Sequence, residues 1–199
     1  QCHIRSHHFC QIDDQFHQLC LRTATTQKGG GQSLEMSNQF LIKNLSVPIK
    51  YFIGAFLILL SIGYFTGLAF VAQTDSTTPQ GIEENYNGNE DEDAPKVLKF
   101  KKSSREMLTI IHTHVLSISM IFFMTGILLW CTEQRVLIKK ILSIEPFVSV
   151  LVTFGGIYLV WLGYSFFSIL IVISGTLMTL SYVLAILFIF NDLLKKPSP

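Results

Sequence analysis

Two histidines, His112 and His114, lie within Glu106–Met124, a stretch reading EMLTIIHTHVLSISMIFFM that is otherwise fit for the inside of a bilayer. Imidazole can ligate a metal or haem, carry a proton, or hydrogen-bond a hydroxyl. An ionisable group inside a membrane span is costly, so it is a functional candidate by default. Spacing narrows the chemistry. Residues two apart on an α-helix point roughly 200° apart, so both rings cannot reach one ion without a break in the helix. Neither Gly nor Pro flanks the pair to provide one. A bis-histidine haem needs rings on facing helices, and no other expected span contains His. An axial Met (Met120, Met124 or Met178) or a second subunit would have to complete such a site.

Helical phase assigns the two rings different surroundings. His112 shares an arc with Thr109, Thr113, Leu116, Ser117, Met120, Phe123 and Met124, flanked by Ser119 and Gly126. Small and hydroxyl residues mark helix contacts in membranes, so His112 is expected to face the bundle. Ile110, Ile111, Val115, Ile118, Ile121, Phe122 and Leu129 fill the opposite arc, with His114 and Thr125 at its middle. His114 is therefore expected to face outward, toward a partner or cofactor. A plainer account has His112 hydrogen-bonded to Ser174, Thr176, Thr179 or Ser181 of the last helix, and His114 reaching the headgroups.

Two other clusters carry weaker signals. Cys2, Cys10 and Cys20 accompany four histidines in the first 20 residues, but their even spread departs from the close ligand pairs of zinc modules. Residues 1–35 are read as a disordered or non-native extension that the fold does not need. Glu83-x-Asn85-x-Asn87-Gly88-x-x-Asp91 imitates an EF-hand loop, yet Ala94 stands where the bidentate glutamate belongs. Neither metal is expected to bind.

The elements that must position these groups follow from charge-free runs. Lys50 and Asp75 bracket 24 uncharged residues, Glu106 and Glu133 bracket 26, and Glu145 and Asp192 bracket 46. About 20 helical residues cross a hydrocarbon core, so the first two runs make one span each and the third makes two, turning near Gly163-Tyr164-Ser165. A mean hydropathy of +0.43 with only 15% charged residues agrees. The fold class expected is all-α: a polytopic membrane protein built as a four-transmembrane-helix bundle over residues 36–199. Its spans are placed at about 47–72, 107–130, 146–163 and 167–190, and its outer loop at 73–105.

Local signals refine the ends. Ser103-Ser104-Arg105-Glu106 fits a capping box, and Ser143-Ile-Glu-Pro146 reads as the start of the third span. Lys43, Lys50, Arg135, Lys139, Lys140, Lys195 and Lys196 fall on one side, against Lys96, Lys99, Lys101, Lys102 and Arg105 on the other. The bias places both termini in the cytoplasm. Seven acids between Asp75 and Asp93 precede the five outer bases, as in a solvated loop folding back on itself.

Thr78-Pro-Gln-Gly-Ile82, Tyr86-Asn-Gly88, Phe100-Lys-Lys-Ser103, Glu106-Met-Leu108 and His112-Thr-His114 together resemble a group of small, uncharacterised four-helix inner-membrane proteins of bacteria. The resemblance runs from about Met36 to the C-terminus. It implies the bundle and a bacterial inner membrane, and it transfers no catalytic residue.

The resulting functional expectation is a non-catalytic accessory or assembly subunit of a bacterial membrane complex of respiratory type. It rests on an outward His114 and on expected first, third and fourth spans free of charge. A haem- or copper-binding redox protein using His112 is the alternative, and a small transporter ranks third. Beyond lipid, a membrane-protein partner or a second copy is expected, and nucleic acid is not. The sequence names no cofactor, and an enzyme acting alone is not expected.

Overall fold

The computed structural model describes residues 41–90 and 97–196. The Cys- and His-rich segment of the first 35 residues lies outside them, as do Asp91 and Ala94 of the EF-hand-like stretch. A 3-10 turn, Ile42–Asn44, leads into five helices: α1 Val47–Gln73, α2 Pro79–Asn87, α3 Ser104–Trp130, α4 Val136–Trp161 and α5 Phe167–Leu194. Four of them, α1, α3, α4 and α5, are long and apolar enough to cross a membrane. No β-strand occurs among the described residues. The chain is an all-α polytopic membrane protein.

The helices start and stop where local chemistry dictates. The Ser103 hydroxyl accepts from the Glu106 N–H at 3.3 Å, and the Glu106 carboxylate accepts from the Ser103 N–H at 2.7 Å, closing the capping box of α3. Gly163, at φ +102°, makes the turn between α4 and α5 that a side chain would strain.

The third span departs from expectation. It opens at Val136, ten residues before Pro146, so the connection from α3 shrinks to Cys131–Arg135. Pro146 lies inside α4, not in its first turn. A proline there removes one helical hydrogen bond but does not end a helix whose surroundings hold it in place.

The helices share the interior unequally. Between them, α4 and α5 form the main contact, with α3 packed chiefly on α4. Within α1 only Leu57 and Tyr64 are buried, and its apolar surface is left to face lipid. One core cluster joins Tyr64, Phe122, Phe154, Ile157 and Tyr182, and a second joins Leu57, Leu129, Leu142 and Ile189.

Over its described residues, the segment between α1 and α3 is more ordered than a solvated hairpin. The Thr78 hydroxyl caps α2 by accepting from the Gly81 N–H at 3.1 Å. A Cβ at Gly81 would lie 1.8 Å from the Asp75 carbonyl oxygen, so only glycine admits this close turn. Ile82 buries itself against the bundle. The Asn87 amide donates to the Val160 carbonyl at 2.7 Å, and the Trp161 indole donates to the Lys102 carbonyl at 2.8 Å. Glu83 accepts from Ser168 at 3.1 Å. Glu83, Asn85 and Asn87 thus stand on a helix, which is not the geometry of a calcium loop.

Candidate functional site

The early start of α4 places a carboxyl group inside a helix long and apolar enough to cross a membrane. Glu145 is the tenth of 26 residues in that helix, about 5 Å along its axis from the midpoint. Both carboxyl oxygens are occupied: Ser149, one turn on, donates to one, and Ser181, at the middle of α5, donates to the other. No Lys, Arg or His pairs with Glu145 among the described residues. The residue is half-buried, and Ile144 and Val148 beside it are exposed. Sequence reasoning missed it by treating Glu145 as the boundary of an uncharged run. The available signal was length: a span of 146–163 is shorter than the roughly 20 residues a bilayer needs. The expectation of charge-free spans is likewise corrected, since α4 also holds Lys139 and Lys140, α1 holds Lys50, and α5 holds Asp192.

Further polar contacts tie the middle of the bundle together. Tyr64 donates to Thr179 at 3.3 Å, and the hydroxyls of Ser61 and Tyr182 lie 3.2 Å apart. The rings of Tyr64 and Tyr182 stack with centroids 4.0 Å apart. Thr153 and Ser174 share a hydrogen bond of 2.7 Å between α4 and α5. Each contact satisfies a polar group that lipid could not.

Contrary to expectation, His112 does not face the bundle, while His114 is exposed yet borders the α3–α4 contact. The isoleucine arc of α3 packs inward: Met107, Phe122, Thr125 and Leu129 are buried, and Ile111, Val115, Ile118 and Ile121 line the core. His112 faces away from the bundle, exposed beside Thr109, Thr113 and Leu116. It makes no hydrogen bond among the described residues. His114 is exposed as well, but it sits at the α3–α4 contact with its ring 5.4 Å from that of Phe154. Its Nδ1 lies 2.8 Å from the Ile110 carbonyl, to which that nitrogen donates when protonated. The hydroxyls taken as contact markers need no partner helix. Thr109 donates back to the Arg105 carbonyl at 2.8 Å, and Ser117 to that of Thr113 at 2.7 Å. The two rings do not converge, and no group of three His, Cys, Asp or Glu able to hold a metal occurs among the described residues.

At the end opposite α2, charges fasten the termini of the bundle. The Asp192 carboxylate, almost fully buried, accepts from the Glu133 N–H at 2.6 Å and from Lys195 at 2.5 Å. Glu133 in turn pairs with Lys43 at 2.5 Å and Lys195 at 3.2 Å. Hydrogen bonds from Lys43 and then Lys195 hold the Glu133 carboxyl below its ordinary range, and the Asp192 hydrogen bond raises Lys195. This network joins the segment before α1, the α3–α4 connection and the end of α5.

One family model, described as a transmembrane helical domain, matches residues 76–199, which hold three of the four apolar spans. The chain belongs to this Aq_1264_TM family. The matched stretch takes in α2 to α5 and begins beyond α1, the helix with least burial. No curated protein and no solved structure matches the chain. Family membership and the four spans make this an integral, multi-pass membrane protein.

Proposed function

We propose that the protein is a non-catalytic accessory or assembly subunit of a bacterial inner-membrane complex of respiratory type, with both termini cytoplasmic. Glu145 carries the reading, in place of the outward His114 that the sequence suggested. Charged groups within membranes pair with one another or with backbone, and the described residues supply no cation to this one. A Lys or Arg on a partner's span, meeting the edge of α4 beside Ile144 and Val148, supplies the missing charge. The small-transporter reading gains the mid-span carboxyl, but α1, α3, α4 and α5 run unbroken, unlike the discontinuous helices of many carriers.

The test is purification of the tagged chain from its native membrane in mild detergent, with wild type and Glu145→Gln compared for co-purifying proteins. A partner retained by wild type and lost by the variant is the expected result. Equal recovery with both would remove Glu145 from the interface, and a Soret band or stoichiometric copper would replace the reading with the redox alternative. A cytoplasmic reporter joined after Pro199 should be active, and activity only from a periplasmic reporter would reverse the orientation.

A further inference from the structure

Outward-facing His112 belongs to a shallow, open face of α3 that has the layout of a phospholipid. Ser104, Arg105, Leu108, Thr109 and His112 line an open depression of ≈ 580 Å³ on α3. Arg105 and His112 are seven residues apart, two turns, and so share one face, with about 10 Å of rise between them. Below His112 the same side of α3 turns apolar, with Leu116, Met120, Phe123 and Ile127 exposed.

Depth along α3 fits this assignment. Its start lies level with Trp161 at the end of α4, whose indole donates to the Lys102 carbonyl, an aromatic of the kind found at the membrane–water boundary. Lys101 lies over the Trp161 ring at 5.6 Å, adding positive charge at that level. Arg105 is exposed and pairs with no carboxylate among the described residues. The opposing charge nearby, Glu106, is turned back onto Ser103 by the capping box.

We propose that this face of α3 is a binding slot for an anionic phospholipid. The phosphodiester lies against Arg105 and Ser104, the His112 ring donates to an ester carbonyl, and an acyl chain runs down Leu116, Met120 and Phe123. Arginine favours phosphate because its planar donors match the oxygens, and a basic pocket at headgroup depth selects charged lipids over zwitterionic ones. This explains why a lipid-facing helix carries a polar ring two turns inside the membrane. The site is separate from Glu145, so it stands or falls apart from the subunit reading.

The experiment uses the full chain in neutral detergent, with native mass spectrometry and thermal unfolding as readouts. Phosphatidylglycerol, phosphatidylcholine and soluble glycerol 3-phosphate are compared. Phosphatidylglycerol should remain bound at one per chain and raise the unfolding midpoint, while glycerol 3-phosphate should do neither. Arg105→Gln should weaken retention about tenfold or more, the loss expected for a charge-assisted contact. His112→Leu should weaken it less, and Lys140→Gln at the other end should leave it unchanged. Equal retention of both lipids, or wild-type retention by Arg105→Gln in a folded protein, would overturn the proposal. An equal shift with glycerol 3-phosphate would also overturn it, because the site would then bind a free anion.

Discussion

Replacing Glu145 with Gln should leave the isolated bundle as stable as wild type or more so. An ionised carboxyl removed from water costs several kcal/mol even after local relaxation, and no cation within the described chain offsets that cost. Against it stand two hydrogen bonds, from Ser149 and Ser181. Bonds to a charged acceptor contribute about 1.5–3 kcal/mol each, and neutral ones about 1 kcal/mol. Glutamine keeps one carbonyl acceptor of nearly the same shape, and the serine left over can bond back along its own helix. The loss is therefore about 2–5 kcal/mol, and the relief is of similar size. The net effect should fall between zero and about 2 kcal/mol in favour of the variant, or up to roughly 8 °C in midpoint by the scaling for chains of this length. Thermal unfolding in mild detergent measures it, with Ser174→Ala as a control that breaks the Thr153 contact and should destabilise by about 1 kcal/mol. A Glu145→Gln variant less stable than that control would show that the carboxyl serves to hold α4 to α5, and the inference of an external cation would lose its basis.

Other expectations follow from the same contacts. His114→Leu should cost about 0.5–1.5 kcal/mol by thermal unfolding through loss of the Phe154 ring contact, whereas His112→Leu, on the outer face, should be neutral for the lipid-free chain. Trp161→Phe breaks the bond to the Lys102 carbonyl, and should loosen the segment leading into α3 by about 1 kcal/mol and speed proteolysis between α2 and α3. Because the Glu133 carboxyl is depressed in the folded state, its stabilising share is complete above its unfolded value. That share is lost as pH falls through the folded one. Midpoints measured from pH 6 downward should fall in wild type, and the Glu133→Gln variant should show less of that fall.

The sequence by itself determined that the chain spans a membrane with α-helices, because runs of 24, 26 and 46 residues without charge admit little else. It also marked local events set by neighbours in the chain, the capping box at Ser103 and the turn at Gly163, since capping and positive φ are short-range matters. Tertiary structure decided which side of α3 turns inward. In lipid an apolar arc has no need to hide, and the hydroxyls of Thr109 and Ser117 can be satisfied by their own helix, so composition does not fix the phase. Shape does: Ile111, Ile118 and Phe122 fit the surface made by Val150, Phe154 and Tyr182, which leaves His112 outside. Tertiary structure also decided that Glu145 lies inside α4 and not ahead of it. Counted along the chain it ends an uncharged run; only Ser181, 36 residues away on α5, reveals the partner that lets α4 continue through it.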